Sequence, residues 1–188
     1  MKLIIRVALI VLLVISCKSG DEIENEFSCN SSFFLGETKT VFDTKNKFSA
    51  KIPKHWKINL FNDEMQSSIY FADTTKQLKK TVLIDITQLS KAYKFDEKFK
   101  RLLFENDSLL QLKNVKSNNY NFNKYPAYYS ISKGKKGKFS YQIINIFVQQ
   151  NDRNSFHLKT EVYGEKAVSS RFCKAIKLLK SITFNESE

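Results

Sequence analysis

Three polar side chains offer the best opening for acid–base chemistry in this sequence. Asp85 sits in an alternating run that places it on one strand face with Leu83 and Thr87, and His157 shares a face with Lys159, Glu161 and Tyr163. If those faces coincide, Asp85, His157 and Glu161 form a cluster able to take and return a proton, as a cofactor-free hydrolase or transferase requires. The competing reading is the polar, solvated side of an antiparallel sheet. Metal chemistry has less to stand on. His55 and His157 are the only histidines, and neither has a His or Cys at ligand spacing, so no metal is expected. The 188 residues contain no phosphate-cradling Gly-rich loop, no G-x-S-x-G elbow and no H-E-x-x-H, and no cofactor is expected.

Charge is the next candidate for function. The net charge is +12, with 31 basic residues against 19 acidic ones, but only four of the basic residues are Arg (6, 101, 153 and 171). Base readout and phosphate clamps favour the Arg fork, so a Lys-borne excess reads as solvated surface and no nucleic-acid partner is expected. Four Lys fall within residues 133–138, at an expected hairpin tip where Gly supplies positive φ. Tyr125, Tyr128 and Tyr129 form an aromatic cluster near that hairpin, accounted for in large part by core packing.

The elements that must position these residues can be read from period and turn chemistry. Strands are expected at 41–43 and 48–52 around Thr44-Lys45-Asn46-Lys47, then at 58–61, 67–72 and 81–88. Helical spacing follows over 95–110, carried by Phe95, Phe99, Leu102, Leu103 and Leu110. Further strands are expected at 113–122, 125–132, 139–150 and 155–163. A final helix over 165–179 has Val168, Phe172, Ala175, Ile176 and Leu179 as its buried stripe. The run Ile143-Ile144-Asn145-Ile146-Phe147-Val148 is apolar on both faces, which marks an interior strand. Links between the strands from 113 to 163 are too short for crossovers, so that part of the sheet is antiparallel.

The N-terminus carries a positive start with Lys2 and Arg6, then nine apolar residues from Val7 to Ile15. That run is too short to span a bilayer and has the layout of a secretory signal. Its end, Val14-Ile15-Ser16-Cys17, resembles the lipobox of bacterial lipoproteins, in which cleavage between Ser16 and Cys17 leaves an acylated Cys17 as the new N-terminus. The resemblance implies a signal peptide over 1–16 and a membrane partner held through the N-terminal lipid. Residues 17–32, with Asp21, Glu22, Glu24 and Glu26, read as an acidic flexible tether. The acidic stretch also resembles the surface-export signal of Bacteroidetes lipoproteins, and the two readings stand side by side. From Phe33 onward 28 basic residues face 15 acidic ones, a net of +13. With Cys17 lipidated, Cys29 and Cys173 remain, either as a disulfide clipping the N-terminal segment to the last helix or as two separate thiols.

From Phe48 the chain reads Phe48-Ser49-Ala50-Lys51-Ile52-Pro53-Lys54-His55-Trp56, an F-x-x-x-(I/V)-P-x-x-W opening. One helix, a Pro-Ala strand at Tyr125-Pro126-Ala127-Tyr128 and a C-terminal helix follow. This order resembles the PsbP-like proteins, with Lys124-Tyr125 where that family often has Gly before the Pro-Ala step. The resemblance implies an α+β domain over 33–188, an antiparallel β-sheet sandwiched by helices, and no shared catalytic residues. The function expected is a non-catalytic, membrane-anchored envelope lipoprotein, in the outer membrane, acting as a binding or assembly module for a protein or small-ligand partner. The alternatives are a cofactor-free hydrolase or transferase on the Asp85/His157/Glu161 face, and a soluble periplasmic ligand carrier.

Overall fold

The computed structural model describes residues 22–29 and 34–185. Ser16, Cys17 and the signal segment lie outside these residues. Ten strands and three helices are present among them: α1 (Glu22–Glu26), β1 (Thr38–Phe42), β2 (Phe48–Pro53), β3 (Lys57–Asn62), β4 (Gln66–Ala72), β5 (Leu83–Leu89), α2 (Glu97–Leu109), β6 (Leu112–Phe122), β7 (Tyr125–Lys136), β8 (Phe139–Gln149), β9 (Ser155–Tyr163), α3 (Val168–Leu179) and β10 (Thr183–Phe184). A short 3-10 turn covers Leu78–Lys80. The main sheet has seven strands in the order β3-β4-β5-β9-β8-β7-β6, and a small sheet has the order β1-β2-β10. Every pairing is antiparallel, so the expected α+β architecture is present.

Register divides the main sheet into two chemically different faces. One row runs Ile69, Ile86, Leu158, Ile146 and Tyr129 across five strands, and the next runs Phe71, Ile84, Thr160, Ile144 and Ile131. These side chains are 0–1% exposed and form the core. Burying an Ile or Phe in such a row contributes about 1.5–3 kcal/mol. Helix α3 covers this face with Phe172, Cys173, Ala175, Ile176, Leu178 and Leu179, all buried, and Phe48 of the small sheet meets Phe156 edge-on at 5.4 Å. Helix α2 packs on the opposite face, where Phe99 meets Phe147 at 5.1 Å, so helices flank the sheet on both sides.

Several expected bounds shift for local reasons. The last helix begins at Val168 rather than 165, because Gly164 (φ 78°) and Ala167 (φ 52°) sit in the left-handed region and break helical propagation. Strand β7 runs to Lys136, four residues beyond expectation, since its ladder with β8 continues through Lys136 and Phe139. The basic 133–138 segment is therefore mostly strand closed by a tight turn, with Gly137 at φ 59°. Gly134 serves another purpose: a Cβ there would lie 2.6 Å from the Gln111 carbonyl oxygen.

The tyrosines expected as one cluster are dispersed by strand alternation and by position along β7. Tyr129 lies on the core face, Tyr128 meets Phe99 on the other face, and Tyr125 meets Phe184 at the end of the strand remote from the basic turn.

Within the segment read as a tether, residues 22–29 dock on the domain. Ile23 is 1% exposed and Phe27 packs on Phe172 at 4.8 Å. Glu22 accepts from Tyr129 and Asn118, Glu24 pairs with Lys180 at 2.7 Å, and Glu26 pairs with Lys116 at 2.6 Å. The acidity of this stretch is thus matched to partners on the domain rather than to solvent alone.

Candidate functional site

The second face of the main sheet holds the polar residues singled out from the sequence. Pairing sets Tyr70, Asp85, Lys159, Asn145 and Ser130 in one row, with Ser68, Thr87, His157, Phe147 and Tyr128 in the next. Glu161 sits in the row on the other side of Lys159 from His157, opposite Leu83 and Ile143. The strand faces of Asp85 and His157 therefore do coincide. Lys159 bridges the two carboxylates, with Nζ 3.4 Å from Asp85 and 3.5 Å from Glu161. Thr87 donates to Asp85 at 3.1 Å, Tyr163 donates to Glu161 at 3.2 Å, and Lys136 approaches Glu161 at 3.9 Å.

His157 belongs to a different arrangement. Its Nε2 lies 2.9 Å from Asn145 Oδ1, and since a carbonyl oxygen only accepts, Nε2 carries the proton. The ring stacks on Phe147 at 4.5 Å, nearly parallel. Burial, with the nearby Lys159 charge adding to it, lowers its pKa to about 4, so the imidazole is neutral at pH 7. No carboxylate orients the ring, and no hydrogen bond joins it to Asp85 or Glu161 among the described residues. What the face assembles is a carboxylate–ammonium network beside a neutral, stacked imidazole.

A groove of about 580 Å³ opens between this face and α2. Its walls are Tyr93, Phe99, Leu102 and Leu103, its floor includes Asn145, Phe147 and His157, and Lys91, Lys94 and Lys98 stand at its edge. Rings line it in mutual contact: Tyr93 meets Phe147 at 5.2 Å and Phe99 at 5.5 Å, and Phe95 meets Phe99 at 5.4 Å. Burial holds the Tyr93 hydroxyl well above its ordinary pKa. Asp96 caps α2 by accepting from the Phe99 amide at 2.8 Å. Further along the helix, Asp107 accepts from Ser132 of β7 at 2.5 Å. Tyr93, Asn145 and Phe147 were not singled out from the sequence as site residues. The Tyr93-x-Phe95-x-x-x-Phe99 spacing at the head of the helix was the available signal.

The remaining candidates fall elsewhere. His55 faces Asp73, with Nε2 to Oδ2 at 3.9 Å. No group of three or more His, Cys, Asp or Glu converges as metal ligands would among the described residues. Cys29 and Cys173 are joined in a disulfide, with Cα atoms 5.3 Å apart, inside the range such a bond spans. Among the described residues no helix is long and apolar enough to cross a membrane.

This arrangement defines a PsbP-like α+β fold, and solved structures share it. The chain superposes on the cyanobacterial PsbP protein CyanoP of Synechocystis with a TM-score of 0.55 at 9% identity, covering 84% of this chain and 97% of that one. LpqN of Mycobacterium tuberculosis gives 0.50 at 11% identity, over 80% and 91% of the two chains. A protein of Bacteroides thetaiotaomicron gives 0.50 at 16% identity over 82% of this chain, which spans about half the length of that protein (50%). At these identities the likeness establishes fold alone. No family profile matches the chain, and no curated relative does.

Proposed function

We propose that the protein is a lipid-anchored binding module of the cell envelope that receives a partner in the groove between α2 and the polar sheet face. The observation that carries this reading is the groove itself, an aromatic-walled opening of about 580 Å³ left by a helix that buries a single residue, Asp107. Binding is favoured over catalysis because His157 is neutral and held by Asn145, while Asp85 and Glu161 are both engaged by Lys159. A general base would need an orienting carboxylate and a pKa near the working pH. LpqN, whose fold is shared, is described as involved in cell envelope biogenesis, which is consistent with this assignment. Acylation at Cys17 would supply the anchor, with the outer membrane as the site expected from the resemblance to Bacteroidetes lipoproteins.

Two measurements test the proposal. Replacing Cys17 by Ala should move the protein from the membrane fraction to the soluble one, and unchanged fractionation refutes the anchor. A soluble wild-type protein would favour the periplasmic ligand carrier instead. Lysine-directed cross-linking in intact cells should concentrate at Lys91, Lys94 and Lys98 and be lost in Leu102→Asp. Cross-links spread evenly over the surface lysines would remove the groove from consideration.

A further inference from the structure

A second groove, of about 350 Å³, lies at the N-terminal end of α3 against the Leu78–Lys80 turn and the residues Thr81 and Val82 that lead into β5. Lys76, Lys79, Lys80, Lys166, Lys174 and Arg171 line it, against one carboxylate, Asp73. That carboxylate is already occupied: Thr75 donates to it at 2.6 Å and Lys76 approaches at 3.2 Å. Burial alone would raise its pKa, but these contacts outweigh burial and lower it. Lys79, Lys80, Lys166 and Lys174 form no ion pair among the described residues. Lys174 instead stands over the Trp56 ring at 4.8 Å, and its pKa is pushed down by burial and by the charge of Lys76. A neighbouring groove of about 500 Å³ shares Lys79, Lys80 and Lys166 and adds Lys138.

Two buried donors in the wall of the groove add to its excess of positive, acceptor-poor groups. The Arg171 side chain is only 8% exposed and donates to the carbonyls of Thr81, Tyr163 and Lys166 at 2.8–3.0 Å. Among the described residues no carboxylate meets it and its Nε has no acceptor, so this buried cation has no counter-charge there. Trp56 is 4% exposed, and its Nε1–H likewise has no acceptor among the described residues. A buried donor left without an acceptor is costly. Helix α3, 12 residues long, adds its positive end, because Ala167 provides no side-chain cap.

We propose that this groove is an anion site for a phosphate-bearing ligand, held by Lys80, Lys166 and Lys174 with the N-terminus of α3. A multiply charged phosphate suits several separate ammonium groups and a helix end better than a lone carboxylate does. The site stands independently of the Cys17 anchor and of the groove under α2. The ligand is either a free phosphate compound or the phosphate headgroup of a lipid, and the two sources can be separated.

Trp56 is the only tryptophan of the chain, so its fluorescence reports on this groove alone. Inorganic pyrophosphate should produce a saturable change that chloride at equal ionic strength does not reproduce. The Lys80→Gln/Lys166→Gln variant alters exposed residues and should weaken binding at least about 10-fold, whereas Lys113→Gln on β6 should leave it unchanged. Vesicles of phosphatidylglycerol in phosphatidylcholine, compared with phosphatidylcholine alone, form the second arm. Saturation by pyrophosphate without a vesicle response assigns a free phosphate compound. A response to the anionic vesicles that the double variant loses assigns a lipid headgroup, and responses to both keep the site with either source. Silence in both arms, or binding that survives the double variant, overturns the proposal.

Discussion

Helices α2 and α3 differ by one residue in length, 13 against 12, and sit on opposite faces of the same sheet. Helix α3 buries seven residues and is tied through Cys173 to Cys29. Helix α2 buries only Asp107 and leaves Leu102, Phe104 and Leu109 more than half exposed. The sheet beneath each accounts for the contrast. Beneath α3 the rows are Ile, Leu, Val and Phe, and an apolar stripe is driven onto them. Beneath α2 the rows mix Ser, Asn, His and Lys with Phe147 and Tyr128, and the helix is held at points by Phe99 on those two rings and by the Asp107–Ser132 hydrogen bond. A helix seated on a polar surface leaves a groove, and one seated on an apolar surface completes a core.

The comparison can be broken most directly at the disulfide. It closes a separation of 144 residues, so by loop entropy its loss costs about 5 kcal/mol. Denaturant unfolding of Cys29→Ser/Cys173→Ser should show a loss of that order, and reductant should destabilise the wild type while leaving the variant unaffected. The next largest effect separates the helices themselves. Phe172→Ala in α3 should cost about 3–5 kcal/mol, whereas Leu102→Ala in α2 should cost less than about 0.5 kcal/mol. Equal losses at the two positions would show that α2 is as firmly packed as α3.

The polar face provides the smallest effect. His157 titrates near 6.5 in the unfolded chain and near 4 in the folded one, so between those values the unfolded state binds more protons. Stability should therefore fall as pH drops from 6.5 toward 4, by on the order of 3 kcal/mol from this group, with no contribution above that window. Subtracting the pH profile of His157→Gln isolates the effect from paired carboxylates. A difference profile flat over that range would mean the imidazole is open to solvent.

Much of this contrast was legible in the residues. The alternation of 155–163 and the stripe Phe172, Ala175, Ile176 and Leu179 correspond to β9 and to the buried side of α3. The stripe of α2 misled in one respect. Helical spacing of Leu102 and Leu110 says that a helix forms but not what it faces, and both side chains remain exposed. The pairing of β5 with β9 spans more than sixty residues and is decided by global topology, which no local period encodes. Strand β10 has two residues and α1 five, too few for any periodic signal. At the site, alternation grouped Asp85 with Thr87 and Glu161 with His157, and only the β5–β9 register makes the two groups one face; Asn145 lay hidden as the single polar residue in an apolar run. Its role as the partner of His157 depends on the β8–β9 register.

The disulfide also decides how mechanical load passes through the molecule. A pull on the chain ahead of residue 22 first meets α1, then Cys29, where the covalent link carries it directly to Cys173. Traction between the two ends runs from there through the last turns of α3 and the short β10, which pairs with β2 of the small sheet, and bypasses the seven-stranded sheet. The seven-stranded sheet is thus mechanically shielded. Stretching the two ends should pay out only the residues before 29 and after 173 until the disulfide is reduced, after which the intervening 143 residues, 30–172, become available to extend.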